Sequence, residues 1–252
     1  MKTKRLGIMA ALPQELGDLI AQMRSAGEVR TVTLGQREYY VGDAHGLPAV
    51  VTLARIGKVA AAATASALIH VFETDAIVFT GVAGGVRADV QVGDVVIADA
   101  LLQHDLDASP LFPRYEVPLL DRARFEADRA LSDALAAAAD AFIADEGGTL
   151  TERFAVAGPR VHRGLIVSGD RFIASHDALF GLRDALPDAL AVEMEGAAIA
   201  QVCYEHGVPC AVVRTISDAA DAAAPLSFTE FLTSIAATYS SGILSRFLRA
   251  AG

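Results

Sequence analysis

Ala76-Ile77-Val78-Phe79-Thr80-Gly81-Val82-Ala83-Gly84-Gly85 joins a short run of apolar side chains to a glycine-rich segment. Ala76 to Phe79 does not alternate, so it reads as a strand buried on both faces, which requires a sheet covered by helices. The glycines after it read either as a close approach of backbone to a ligand, which is favoured, or as a sharp turn after the strand. Similar runs occur at Leu6 to Leu12, Ala49 to Leu53, Val95 to Ala98, Leu165 to Val167, Leu190 to Val192 and Cys210 to Ile216. Between them, helical patterns are predicted at Pro13 to Arg24, Gly57 to Phe72, Ala127 to Asp145, His176 to Leu186, Glu195 to Glu205 and Phe228 to Ala250. Arg30 to Leu34 and Glu38 to Asp43, parted by Gly35-Gln36-Arg37, predict antiparallel hairpins added to a parallel run. The fold class expected is α/β, a mixed central β-sheet flanked by helices. With no internal repeat, linker or charge block, residues 1–252 are expected to form a single domain.

The 252 residues are 53% hydrophobic and 21% charged, and the mean hydropathy is +0.38. That excludes a disordered chain. Lys and Arg number 21 against 31 Asp and Glu, a net charge of -10, so no basic footprint for nucleic acid exists. Met1-Lys2-Thr3-Lys4-Arg5 followed by Leu6 to Leu12 imitates a signal peptide, but the apolar run is short and Pro13-Gln14-Glu15 interrupts it. Val59 to Ile69 is too short to span a bilayer. Cys203 and Cys210 form neither a disulfide framework nor a zinc-ligand spacing and read as buried thiols. A soluble cytoplasmic protein without membrane or nucleic-acid partners is expected.

Ligands in such sheets bind beyond the carboxyl ends of the strands. Three carboxylates fall there: Glu15, Glu195 and Asp218. Each could be a helix N-cap or first-turn acid. Together at an apolar crevice, they match the needs of glycoside hydrolysis, in which one acid protonates the leaving group and another carboxylate activates water. An N-glycoside, with a base as leaving group, follows the same logic. The glycines after Phe79 match neither a P-loop nor a dinucleotide fingerprint. The six histidines show no ligand pairing, so neither metal nor cofactor is expected. His104-Asp105 reads either as a catalytic pair or, with more weight, as a structural hydrogen bond. Gln103 to Arg124 interleaves prolines with Leu111, Phe112 and Tyr115, the texture of a functional or interface loop.

Gly7-Ile8-Met9-Ala10-Ala11 leading to Glu15, Ile56-Gly57-Lys58-Val59-Ala60-Ala61, Thr80 to Gly85, Val92 to Val96, Leu165 to Ile173, Val192-Glu193-Met194-Glu195, Arg214 to Asp218 and Leu226-Ser227-Phe228 run in order from end to end. This set resembles the 5'-methylthioadenosine/S-adenosylhomocysteine nucleosidases, within the nucleoside phosphorylase superfamily. The resemblance implies a nucleoside phosphorylase-like fold and a cofactor-free hydrolase of a purine nucleoside serving methionine salvage. By that resemblance Asp218 protonates adenine N7, Glu15 activates water, Glu195 accepts the ribose 2'- and 3'-hydroxyls, and Met194 lies against the sugar. Backbone groups of Phe172 and Ile173 would read the adenine edge, with the Phe172 ring stacked on the base. Ile56 and Phe228 would line the alkylthio pocket, completed by an aromatic residue of a neighbouring subunit, for which Phe112 or Leu111 is the candidate. A homodimer is therefore implied, with the Gln103 to Arg124 loop reaching the neighbouring site.

Two positions depart from the family pattern. Val82 stands where a serine helps hold water or phosphate, and Arg55 stands where a small residue is usual. With Arg214 nearby, a phosphate-dependent phosphorylase is the first rival. A hydrolase of another purine nucleoside and an inactive nucleoside-binding protein are the others.

Overall fold

The computed structural model describes residues 4–154, 156 and 158–251. Met1, Lys2 and Thr3, the start of the signal-like stretch, lie outside them. Among the described residues the strands are β1 Leu6–Ala10, β2 Arg30–Leu34, β3 Arg37–Ala44, β4 Leu47–Leu53, β5 Ala76–Gly85, β6 Val95–Gln103, β7 Arg124–Glu126, β8 Val161–Ser168, β9 Ala189–Glu193 and β10 Cys210–Asp218. The helices are α1 Leu19–Ala26, α2 Lys58–His70, α3 Arg129–Phe154, α4 His176–Ala185, α5 Gly196–His206, α6 Ala224–Ser234 and α7 Ala236–Ala251. One mixed sheet results, in the order β10-β6-β8-β9-β5-β1-β4-β3-β2, as the α/β reading expects.

An additional β10–β5 pairing closes five of these strands into a ring, and β1, β4, β3 and β2 extend from it as a wing. The hairpin reading of residues 30–43 is met by β2, β3 and β4, which pair antiparallel. Alternate residues of the central strands enter opposite layers. Ile8, Val51 and Val78 join α1, α3, α6 and α7 in one core cluster, while Met9, Val50 and Ile77 join α2 and α5 in the other. Strands clothed on both faces explain why their sequences do not alternate in polarity.

Several boundaries differ from the sequence reading. Leu6 to Leu12 is strand only to Ala10, and Pro13–Glu15 forms a 3-10 turn. The helix expected from Pro13 begins at Leu19, because Gly17 has φ +59 and a Cβ there would lie 2.1 Å from Ser241 Oγ. The helix expected from Phe228 begins at Ala224 and divides at Ile235 into α6 and α7. β5 does not stop at Phe79 but runs through the glycines to Gly85, paired with β10 on one side and β9 on the other. Glycine there serves close packing within the sheet rather than a turn.

Packing against α3 also places a glycine in α7. A Cβ on Gly242 would sit 2.3 Å from ring carbons of the buried Phe142. In an exposed helix Gly→Ala stabilises by about 1 kcal/mol. Here Gly242→Ala is expected to destabilise by about 1–3 kcal/mol, because overpacking outweighs propensity; urea denaturation reads the sign.

Candidate active site

Glu15, Glu195 and Asp218 meet at one cavity of about 240 Å³, with Ile56, Val82, Phe172, Ile173, Met194 and Phe228 on its walls. It opens where β1, β5, β9 and β10 end, at the mouth of the closed ring. Of the residues expected at the site, Phe112 does not line its own chain's cavity, and Arg214 lies behind it. Arg55 does not line it either; its guanidinium is exposed and donates to Gln36 O at 2.6 Å.

Glu15 is buried at the end of the 3-10 turn. Its Oε2 accepts from the N–H groups of Ala11 at 2.9 Å and Leu12 at 2.7 Å, and its Oε1 accepts from Val82 N–H at 3.0 Å. The carboxylate is thus both a cap and a group presented to the cavity. Burial pushes its pKa up, while Arg214 and the three N–H donors oppose the rise. The donor at position 82 is main chain, so valine in place of serine leaves Glu15 held. The Val82 side chain instead packs in the core.

Arg214 is wholly buried in the middle of β10. Its Nη2 donates to Glu193 and lies 3.6 Å from Glu195 Oε2, and the guanidinium stacks 3.9 Å from the Phe79 ring centroid. Burial disfavours its charge, yet Glu193, Glu15 and Glu195 outweigh that and raise its pKa. Gly81 faces Arg214 in the β5–β10 register. A Cβ on Gly81 would stand 1.9 Å from Arg214 Nη1 and 2.7 Å from Glu15 Oε1, so only glycine admits both groups.

Glu193 went unassigned in the sequence reading. Besides Arg214 it accepts from the Ser168 hydroxyl and from the N–H groups of Glu195 at 3.1 Å and Gly196 at 2.9 Å. It therefore takes the capping work at the start of α5. Glu195 occupies the N-cap position without making a side-chain cap. Its Oε1 accepts from Gly57 N–H at 2.8 Å, at the head of α2, where φ is +99. Burial, then the Glu193 carboxylate, push the Glu195 pKa up to about 8 against Arg214. The signal for Glu193 was legible: an arginine inside the apolar strand Cys210–Asp218 demands a buried counter-ion.

Asp218 ends β10. Its Oδ2 accepts from the Ser217 hydroxyl at 2.8 Å and its Oδ1 from Ala220 N–H at 2.9 Å. Burial pushes its pKa up, and those two hydrogen bonds oppose the rise. Gly84 makes room for it, since a Cβ there would lie 2.9 Å from Oδ1. Across the mouth, Phe172 and Phe228 meet edge to face at 5.7 Å. Arg171, also unassigned from sequence, lines the rim.

His104 and Asp105 do not form a pair. Asp105 binds Lys58 Nζ at 2.6 Å and accepts from Asp170 N–H at 2.8 Å, and His104 Nε2 is buried with no partner among the described residues. Those residues also hold no cluster of three or more metal-ligating side chains. Cys203 and Cys210 are free and buried. No described helix is long and apolar enough to cross a membrane.

Residues 5–249 match the profile of the Phosphorylase superfamily. Among solved structures, a 5'-methylthioadenosine/S-adenosylhomocysteine nucleosidase from Neisseria meningitidis in complex with methylthio-immucillin-A is similar, at 36% identity, TM-score 0.84, covering 98% of this chain and 99% of that one. An S-adenosylhomocysteine nucleosidase from Streptococcus pyogenes in complex with 5-methylthiotubericidin is 31% identical, with TM-score 0.84 and coverage of 99% and 98%. A futalosine hydrolase of Helicobacter pylori is 30% identical, with TM-score 0.81 and coverage of 96% and 97%.

The charge cluster sets a stability test. Arg214→Met removes the cation and leaves Glu193 buried without its counter-ion, which is expected to cost about 3–5 kcal/mol in urea unfolding.

Proposed function

This chain belongs to the 5'-methylthioadenosine/S-adenosylhomocysteine nucleosidases of the phosphorylase superfamily, and from that premise we propose that it hydrolyses the N-glycosidic bond of 5'-methylthioadenosine, S-adenosylhomocysteine or both. Adenine and the 5-thioribose product leave. The observation that carries this reading is the convergence of Glu15, Glu195 and Asp218 on one apolar-walled cavity.

Adenine departs poorly as an anion and readily once protonated. Asp218 is the acid: burial raises its pKa, so the carboxyl keeps a proton to higher pH than an exposed aspartate and can deliver it to N7. Its Oδ1 contact with Ala220 N–H and its Oδ2 contact with Ser217 fix the carboxyl plane. As the bond to N9 breaks, positive charge grows on the ribose, and the Glu15 carboxylate supplies the negative field that stabilises it. Glu15 takes the proton of the attacking water, and Glu195 accepts the 2'- and 3'-hydroxyls. Met194 backs the sugar, Phe172 and Ile173 hold the base, and Ile56 and Phe228 flank the 5' substituent.

Water rather than phosphate is the nucleophile by electrostatics. The buried guanidinium of Arg214 is already engaged by Glu193, with Glu195 and Glu15 beside it, and so is not free to take a phosphate dianion. Arg55, the other cation the phosphorylase rival needs, does not line the nucleoside cavity and is held by Gln36 O instead.

We further propose a homodimer. The segment between β6 and β7 displays Leu111 at 83% and Leu119 at 87% exposure, an apolar display suited to burial against a second copy. Its root is tied to the head of α2 by the Asp105–Lys58 ion pair. On this reading Phe112 reaches the alkylthio end of the neighbour's pocket. The free thiols of Cys203 and Cys210 suit a reducing cytoplasm.

Adenine release from 5'-methylthioadenosine in phosphate-free buffer tests the activity; release that requires phosphate would overturn the hydrolase. Asp218→Asn and Glu15→Gln are each expected to lower kcat by about 100- to 10,000-fold while substrate still binds. The pH profile of kcat/KM should be a bell. Glu15 acts ionised, so activity rises with pH through its raised pKa; Asp218 acts protonated, so activity falls as pH climbs through its own. In Glu15→Gln the residual rate should lose the acid limb.

A further inference from the structure

A second cavity, of about 430 Å³, adjoins the nucleoside cavity and shares Ala11, Leu12 and Ile56 with it. The two differ in character. Beyond Leu12 and Ile56 the walls carry Arg37, Glu38, Tyr40 and Arg55. Neither arginine has a carboxylate within 4.0 Å among the described residues, so two guanidinium groups share this space without a protein counter-ion.

Both are nevertheless held in place. Arg37 donates from Nε to Ala54 O at 3.3 Å and from Nη1 to Gly35 O at 3.1 Å, while Arg55 Nη2 donates to Gln36 O at 2.6 Å. Carbonyl oxygens anchor the heads but leave the charge uncompensated and other N–H donors available. Glu38 sits on the same wall, its Oε2 accepting from Tyr40 OH at 2.5 Å. The cavity therefore offers positive groups for a carboxylate and one carboxylate for an ammonium.

Arg55 also holds an unfavourable backbone conformation, with φ +68, where a side chain is strained and glycine is not. Its neighbours connect the two cavities residue by residue. Arg55 faces the second, Ile56 forms the shared wall, and Gly57 N–H holds Glu195 in the first. A 5' substituent longer than methyl, leaving the alkylthio end beside Leu12 and Ile56, has this charged space to enter.

We propose that Arg37 and Arg55 form a subsite for an anionic 5' substituent, which favours a 5'-thioadenosine with an amino-acid tail over one with a methyl group. Arg37 and Arg55 take the carboxylate and Glu38 the ammonium. The subsite rests on the nucleosidase reading and extends it to substrate choice.

The test compares kcat/KM for S-adenosylhomocysteine, 5'-methylthioadenosine and an uncharged 5'-butylthioadenosine in wild type, Arg55→Gly and Arg37→Ala/Arg55→Gly. The homocysteinyl-to-methyl ratio is expected to fall about tenfold in the double variant, the size of a charge-assisted contact, while the butyl-to-methyl ratio holds. Arg55→Gly alone should show part of that fall with a melting temperature no lower than wild type, because glycine relieves the strained φ. An unchanged homocysteinyl-to-methyl ratio in the double variant would overturn the subsite, and so would an equal fall in both ratios. Failure of the wild-type enzyme to release adenine from any of the three would instead overturn the nucleosidase reading itself.

Discussion

A guanidinium with no exposure to water must be surrounded by negative charge or it cannot remain in the fold. Arg214 imposes that condition at the centre of β10, and the neighbouring sequence answers it. Glu193 meets Nη2 and caps α5, Phe79 lies beneath the plane, and Gly81 withholds the Cβ that would strike Nη1. With capping assigned to Glu193, the Glu195 carboxylate points to the cavity and to Gly57. Two acids two residues apart thus divide the work, one structural and one facing the cavity.

The same burial that demands counter-charge tunes the reacting groups. Asp218 sits away from the arginine, with hydrogen bonds only from Ser217 and Ala220, and desolvation dominates its titration. Glu15 is equally buried but is opposed by a cation and three backbone donors. Burial thus raises both carboxyls, with Arg214 and three backbone donors restraining the rise at Glu15 and two hydrogen bonds restraining it at Asp218.

Much of this was legible in the chain. Strands with no polar alternation announced a sheet covered on both faces, and carboxylates just beyond strand ends marked Glu15, Glu195 and Asp218 as a group. Other features needed the third dimension. The run Thr80 to Gly85 reads locally as lying beyond the strand, because glycine is depleted in strands; it is strand because β9 and β10 crowd it from both sides. Gly17, at φ +59, separates the 3-10 turn from α1 where Ser241, more than two hundred residues away, leaves no room for a Cβ. The role of Glu193 follows from Arg214, a pairing across two strands that no local pattern carries. Arg55 read as a departure near the nucleophile, whereas it lines the adjoining cavity.

The closed ring of β10, β6, β8, β9 and β5 bears on how the protein is made. Glu15 emerges from the ribosome well before Arg214 and Asp218, which arrive on β10, the last strand among the described residues. Until β10 inserts between β5 and β6, the glycine-lined strand has an open edge and the acids lack their cation. β10 must therefore be synthesised before the cavity can exist, and until then the nascent chain carries an exposed apolar edge. Closure by long-range pairing makes folding slow relative to a helical protein of this size. An arrangement that gathers Glu15 from just beyond β1 and Asp218 from the end of β10 thus makes the cavity depend on every strand between them: a chain stopped before β10 has no partial cavity.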